Sequence, residues 1–435
     1  MRRPALTISD MHNYRCFLWL GAFYERIADV TKENKITIPH RDSQRIKKFL
    51  DKRNGKGFNF FDKFNYKGMY QALLSKLEKN AVKDFSALSD YEKCIYEAIF
   101  TTKAPFFQDI NSAESKTPAR TNSATKEEGL FQRGFRLFNM AAQHAMHTTC
   151  FPWMINDKRG FHREGQIRMG SPSLEDGKSV LASFQHFITI QHNNRNDPHL
   201  YINLLKNTKG SVVNFERQIE TKRSHALHSL EQDSKSPIIV ISLPADDRVL
   251  STSWQNDISN VQDLINRAIK GIRKNQHDFY MSDNSKIALF TKEKKIRETI
   301  ETLFQQSLTH LFPESREIDF SKKLKHDDLR MIWFDFVKLQ LTEYILTKIT
   351  HSTFNITCKD GIDRAWAHSM YYNEFREHQV ECDLSDDAWL KFANRPAQIV
   401  KGREMNHHLE LLKKTRKKVK MNFESAQSRG PSCSH

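Results

Sequence analysis

Cys358 and Arg364 are separated by five residues, Lys359, Asp360, Gly361, Ile362 and Asp363. A cysteine is a nucleophile only as the thiolate, and a local positive field favours that form. An arginine fork can grip two oxygens of one phosphate. The run before the pair, residues 352–357, is rich in β-branched and aromatic side chains, and the run after it, 365–377, has helical spacing. A strand ending in Cys358, a tight loop around Gly361 and a helix opening on Arg364 predict a phosphate cradle. The backbone of Gly361 and Ile362 would line it, with loop N–H groups and the helix N-terminus aimed at one anion. The chemistry would be attack of sulfur on phosphorus, giving a phosphocysteine. The bland alternative is a buried cysteine and a surface arginine that happen to share this spacing. The flanking strand and helix and the glycine in the loop favour the cradle.

The interior of the loop carries a resemblance. Myotubularin-type lipid phosphatases have Cys-Ser-Asp-Gly-Trp-Asp-Arg, which Asp360, Gly361 and Asp363 match. Inositol polyphosphate 4-phosphatases and the SidF/SidP-type bacterial effector phosphoinositide 3-phosphatases have Cys-Lys-Ser-x-Lys-Asp-Arg, which Lys359 and Asp363 match. The segments 199–205, 238–247 and 277–280 also resemble the effector group, so the similarity spans residues 184–373. It implies a phosphoinositide phosphatase of the Cys-x5-Arg type, acting at the D3 position, in a protein secreted into a host cell. Those families follow the arginine with Thr or Ser, whose hydroxyl helps the sulfur leave phosphorus. Ala365 stands there in this chain, a departure that bears on rate more than on chemistry.

Dephosphorylation also needs an acid for the leaving oxygen and a base for water. The resemblance makes Asp363 the first candidate and Asp360 the second; either could instead fix the loop. Asp246 or Asp247, in Leu-Pro-Ala-Asp-Asp, ranks third, by analogy with the mobile aspartate of tyrosine phosphatases. Lys359 can meet a second phosphate as a point charge. Lys158, Arg159, His162, Arg163 and Arg168 form a basic cluster able to bind further phosphates. His368 lies one helical turn past Arg364 and reads as a packing residue.

Composition sets the frame for these residues. The 435 residues carry a net charge of +16, with 38% hydrophobic and 28% charged residues. That charge attracts polyanions without choosing among them. The cradle favours an inositol phosphate headgroup on an anionic membrane surface, and no nucleic-acid-binding motif is recognisable. The six cysteines show neither CxxC pairs nor zinc-ligand spacing, so no metal, no cofactor and no disulfide framework is expected. No apolar run approaches the roughly 20 residues needed to span a bilayer, and no apolar signal core follows the N-terminus. A soluble, peripheral membrane protein exported without a Sec signal is the expectation.

The predicted fold class is α/β: helix-rich, with a cysteine-phosphatase-like central sheet, the reactive loop between a strand and a helix, and a helical N-terminal region. Expected domains are 1–128, helical; 129–402, catalytic; and 403–435, a basic helix and tail. Helices are predicted over 44–51, 70–83, 91–100, 129–147, 215–230, 261–274, 286–311, 327–350 and 403–423. A turn is predicted at 54–57, a linker at 111–126, strands at 184–191, 199–205 and 237–243, and an irregular tail from 427. The run 413–420, with six positive charges, reads as either a solvated helix face or a contact for anionic lipid. Alternative functions are a phosphoprotein phosphatase of the same chemistry, a catalytically weak phosphoinositide-binding protein, and a basic nucleic-acid binder.

Overall fold

A computed structural model describes residues 8–56, 65–81, 85–101, 165–167, 169–173, 177–207, 215–233, 235–246, 248–251, 258–314, 319–376 and 404–428, the last without 406, together with short pieces between 385 and 397. The predicted helix at 129–147, the linker, Asp247 and the basic cluster from Lys158 to Arg168 lie outside these residues.

Apolar runs at β2 (His199–Asn203), β3 (Ile238–Ser242) and β4 (Thr353–Thr357), with the short β1 (Gln166–Ile167), form one sheet in the order β1-β4-β2-β3. Every neighbouring pair is parallel. Parallel strands need long crossovers, and both faces of such a sheet are covered by helices. β2 and β4 are accordingly buried along their whole length. Asn203 lies opposite both Ser242 and Thr357. Three strands therefore end in register, and the residues that follow them emerge at one edge.

The crossover requirement explains one correction. Residues 184–191, predicted as a strand, lie inside a helix, Ala182–Arg195, which runs between β1 and β2. Phe184, Phe187, Ile188 and Gln191 are all buried, and their i, i+3, i+4, i+7 spacing is helical. Ile188, Thr189 and Ile190 are β-branched, but the helical burial pattern prevails. The other predicted strands hold, and so does the helical character of the N-terminal region among the described residues. Its helices α1 (Ile8–Glu33), α2 (His40–Lys56), α3 (Tyr66–Ala81) and α4 (Asp90–Thr101) share a hydrophobic core with α5 (Ala182–Arg195) and α6 (Phe215–Gln232) on one face of the sheet. The predicted turn at 54–57 is helical as far as Lys56.

The opposite face is covered by α7 (Val261–Lys274), α8 (Asp283–Phe290), α9 (Glu293–Leu311), α10 (His326–Asp335), α11 (Leu341–Lys348), α12 (Arg364–Phe375) and α13 (Leu409–Ser428). The helix predicted over 286–311 is broken at Thr291, whose φ is +59°. The helix predicted over 327–350 contains a π-helical turn, Phe336–Gln340, between α10 and α11. α13 is not an appendage. Leu411, Leu412 and Val419 are buried in the same core as Trp333 and Tyr371. Arg416, inside the basic run, is itself buried, pairs with Glu374 at 2.7 Å and lies over the Trp389 ring. The boundaries expected at 128/129 and 402/403 are not marked by separate cores: the N-terminal helices share one with α5 and α6, and α13 shares the other with α12. Among the described residues no helix is long and apolar enough to cross a membrane.

Candidate active site

β4 ends at Thr357, Cys358 opens the loop, and α12 begins at Arg364. Gly361 has φ +69°, the left-handed region that favours glycine. A Cβ there would stand 2.6 Å from the Met169 carbonyl oxygen, so the loop can close against residues 169–171 only with glycine. Ser171 N–H donates to the Lys359 carbonyl at 3.1 Å and ties down the other side of the loop. Connections leave β2 and β4 toward opposite faces, since α6 packs in one core and α12 in the other. In open parallel sheets the crevice at such a switch point, beyond the strand C-termini, is the usual ligand site.

Segments distant in sequence meet at this edge. Leu204, just after β2, offers its carbonyl to Arg364 Nη1 at 3.2 Å. Asn203 donates to Ser224 Oγ and Ser242 Oγ. Ser242 and Tyr280 exchange backbone hydrogen bonds, and Tyr280 stacks on His228 with ring centroids 3.5 Å apart. The segments 199–205, 238–246 and 277–280 are therefore neighbours in space.

Arg364 is the best-held side chain of the site. Nη1 donates to Glu220 Oε2 at 2.9 Å, Nη2 to the other oxygen of Glu220, and Nε to Asp246 Oδ2 at 2.9 Å. Burial works against its charge, but Asp246 and Glu220 outweigh it and hold the guanidinium cationic. The expected two-oxygen grip on phosphate is thus not the resting arrangement. The two carboxylates already orient the fork, and a phosphate must share it or displace one of them.

Cys358 is buried, and the Ala365 N–H reaches its sulfur. Burial pushes the thiol up; Arg364 and the Ala365 N–H pull it down, while Asp360 and Asp363 push it up again. The net direction is upward: desolvation exceeds the positive field that the loop was expected to supply. Asp363 stands at the start of α12, where its side chain makes no capping bond to the helix. Ile362 was expected to bind substrate, but its side chain is buried in the apolar core, so only its backbone can face a ligand. Lys359 is half-buried. Arg168 lies outside the described residues.

Asp246, ranked last among the expected acids, belongs to the site. Burial raises its carboxyl, but the His407 hydrogen bond and the charges of Arg364, His407 and Lys206 hold it well below the usual carboxylate range. His407 Nδ1 lies 2.9 Å from its Oδ1, His408 Nε2 3.9 Å from the same oxygen, and Lys206 Nζ 3.9 Å from Oδ2. Asp246, His407 and His408 bring ligand atoms within 4.8 Å of one another, close enough for a metal ion. Asp246 Oδ2 already meets Arg364 Nε and its Oδ1 lies beside His407 Nδ1, contacts that a metal ion would have to replace. His368 is buried with Nε2 2.8 Å from Thr342 Oγ1. Thr342 donates its own proton to the Val337 carbonyl, so His368 carries its proton on Nε2 and has a packing role, as expected.

Sequence reasoning missed Glu220, Lys206, His407, His408 and Lys338. Lys338 had a visible signal: it is a lone cation within the apolar stretch 331–346. It sits in the π-helical turn, 1% exposed, with Nζ 4.9 Å from the Phe334 ring centroid. No hydrogen-bond partner reaches that Nζ among the described residues. The chain matches no family model, no curated protein and no solved structure.

Proposed function

We propose that this chain is a cysteine-dependent phosphatase that removes a phosphate from phosphoinositides, at the D3 position, through a phosphocysteine. The observation that carries the reading is Cys358 and Arg364 on one strand–loop–helix unit at the C-terminal edge of a parallel sheet, with the guanidinium oriented by Glu220 and Asp246. The Cys358 thiolate attacks phosphorus, and the bond to the inositol oxygen breaks as that oxygen takes a proton. Water then displaces the sulfur and releases inorganic phosphate. Asp246 is held ionised by its neighbours, which leaves Asp363 and then Asp360 as donors to the leaving oxygen. Lys206, 3.9 Å from Asp246, adds an amine beside the site, whereas burial lowers His407 and His408 and leaves them as polar rather than positive neighbours. The net charge of +16 suits an anionic membrane surface. The lipid substrate, the D3 position and the role as a secreted effector rest on the loop's resemblance.

The test is a phosphate-release panel over every phosphoinositide isomer and phosphotyrosine peptides, with EDTA present, for the wild type and Cys358→Ser. Release from D3 lipids by the wild type alone is the expected result. Release from peptides alone would move the assignment to protein substrates. Equal release by the serine variant would end covalent cysteine catalysis.

A further inference from the structure

We infer that Glu220 is an internal competitor for the anion site on Arg364. At rest its carboxylate takes the places of two phosphate oxygens, and a tetrahedral oxyanion binds by displacing it. This rests on the reading of Arg364 as the phosphate-binding group, but its test needs no turnover.

Three N–H groups converge on the two oxygens of Glu220. Arg364 Nη1 donates to Oε2 at 2.9 Å, Nη2 donates to Oε1, and the Lys206 backbone N–H donates to Oε2 at 3.3 Å. A planar fork beside a main-chain amide is a donor set for two oxygens of one anion. Glu220 is buried on α6, so its carboxylate holds these places with little water to weaken the pair.

A two-point grip on the guanidinium uses either Nη1 with Nη2 or Nη2 with Nε. Glu220 holds the first pair, and Asp246 faces Nε at 2.9 Å. One carboxylate must yield, and the two are anchored differently. Asp246 has partners besides Arg364: its Oδ1 lies 2.9 Å from His407 Nδ1, and Lys206 Nζ lies 3.9 Å from its Oδ2. Its departure would leave those groups facing nothing. Among the described residues Glu220 meets only Arg364 and the Lys206 N–H. All of these donors would pass to the incoming anion. Rotation about the Glu220 side-chain torsions can withdraw the carboxylate while α6 stays in place.

The exchange sets the ligand class. An internal competitor lowers the apparent affinity of every anion by the fraction of time the fork is free. The net charge of +16 gathers polyanions without choosing among them. A weakly held monoanionic phosphodiester is then shut out at concentrations where a dianionic phosphomonoester still binds. The site therefore takes terminal phosphates and refuses the diester linkages of lipids and nucleic acids.

The experiment is calorimetric titration of the full chain with sodium tungstate, a tetrahedral dianion that is not hydrolysed, for the wild type, Glu220→Gln, Glu220→Asp and Asp246→Asn. Glu220→Gln should bind tungstate about tenfold tighter, as for a fork that is free about a tenth of the time at rest. Glu220→Asp keeps the charge but is one methylene too short to span the fork, and it should tighten binding as well. Asp246→Asn should weaken it, because Arg364 loses the support at Nε. Unchanged or weaker binding in Glu220→Gln overturns the proposal and makes Glu220 a fixed support of Arg364. Tightening in Asp246→Asn equal to that in Glu220→Gln also overturns it, since lost negative charge would then account for both. If Glu220→Gln does not fold, unchanged or weaker binding in Glu220→Asp overturns it. So does tungstate binding in none of the proteins. Tungstate affinity that depends on residue 220 in a protein that releases no phosphate would leave the exchange standing and remove the phosphatase. Phosphate release with tungstate affinity indifferent to residue 220 would do the reverse.

Discussion

Asp246 Oδ2 stands 2.9 Å from Arg364 Nε, and its other oxygen stands 2.9 Å from His407 Nδ1. One carboxylate thus joins the loop after β3, the helix that follows Cys358, and a segment more than forty residues later in the chain. The linkage gives Asp246 a task other than proton donation. A carboxylate surrounded by a guanidinium, an imidazole and an amine stays ionised and orients the guanidinium that the proposed function sets against phosphate.

Asp246→Asn and Asp363→Asn should therefore fail in different ways. An acid that protonates the leaving oxygen matters little when the leaving group is good. Asp363→Asn should lower turnover on phosphoinositides by about 100-fold or more and lower it far less on an aryl phosphate. Asp246→Asn should hurt both substrates alike, because it disturbs Arg364. Steady-state rates on the two substrate types decide the matter. A leaving-group-dependent loss in Asp246→Asn would make it the acid after all.

Arg364→Lys should also be severe. One ammonium cannot span Glu220 and Asp246 while presenting a planar fork to phosphate. A loss of about 100- to 1,000-fold in turnover, the range for removing a donor to a developing oxyanion, is expected on every substrate. A nearly active lysine variant would mean that the guanidinium is held for structure alone.

Local chemistry was legible in the sequence and its partners were not. Cys358, Gly361 and Arg364 announced strand, loop and helix because their requirements lie within one short stretch. β2 and β3 were readable as apolar runs bounded by turn residues. Residues 184–191 misled because β-branched side chains suit a strand, while the need to carry the chain from β1 to β2 required a helix. Glu220 and Asp246 reach Arg364 only through the parallel register that brings β2, β3 and β4 to one edge, and His407 reaches Asp246 from a segment still farther along the chain. No local spacing encodes that meeting. Lys338 lay between the two cases, conspicuous as the one cation in a largely apolar run that also holds Asp335 and Glu343, but mute about what it faces.

Buried histidines set an acid limit on stability. His199 bridges Thr353 Oγ1 and Asn355 Oδ1 at 2.8 and 2.6 Å. Burial lowers it to about 4, against some lift from Asn355. Its unfolded value is about 6.5. Between those values the unfolded chain takes a proton that the native state refuses, so stability falls as pH drops from about 6.5 toward 4. His228 and His408, lowered to about 3 chiefly by burial, act in the same direction. Asp246 adds a further loss below about 4, since its folded value lies beneath the unfolded one. Melting temperatures measured from pH 7.5 to 4.5 should decline steadily. His199→Gln should start less stable and decline less; an identical slope in that variant would refute the assignment to His199.

The basic C-terminal helix is part of the folded core, and removing it should show that. Arg416 pairs with Glu374 on α12 at 2.7 Å and with Asp386 at 2.9 Å, while His407 reaches Asp246. Breaking a buried ion pair from one side leaves the other charge unpaired, at a cost of about 3–5 kcal/mol. Arg416→Met should thus lower the denaturation midpoint strongly, and Glu374→Gln in the same chain should recover part of the loss. Truncation after residue 402 should abolish hydrolysis of a short-chain soluble phosphoinositide as well as vesicle binding, because the core and the Asp246 contact go with it. Membrane contact must instead be tested at the surface. Lys414 and Lys417 are exposed on α13; replacing both with Gln should weaken binding to anionic vesicles at low salt and leave soluble hydrolysis unchanged. A truncated chain that still hydrolysed the soluble lipid at the wild-type rate would show that α13 is dispensable to the core and that Asp246 orients Arg364 without His407.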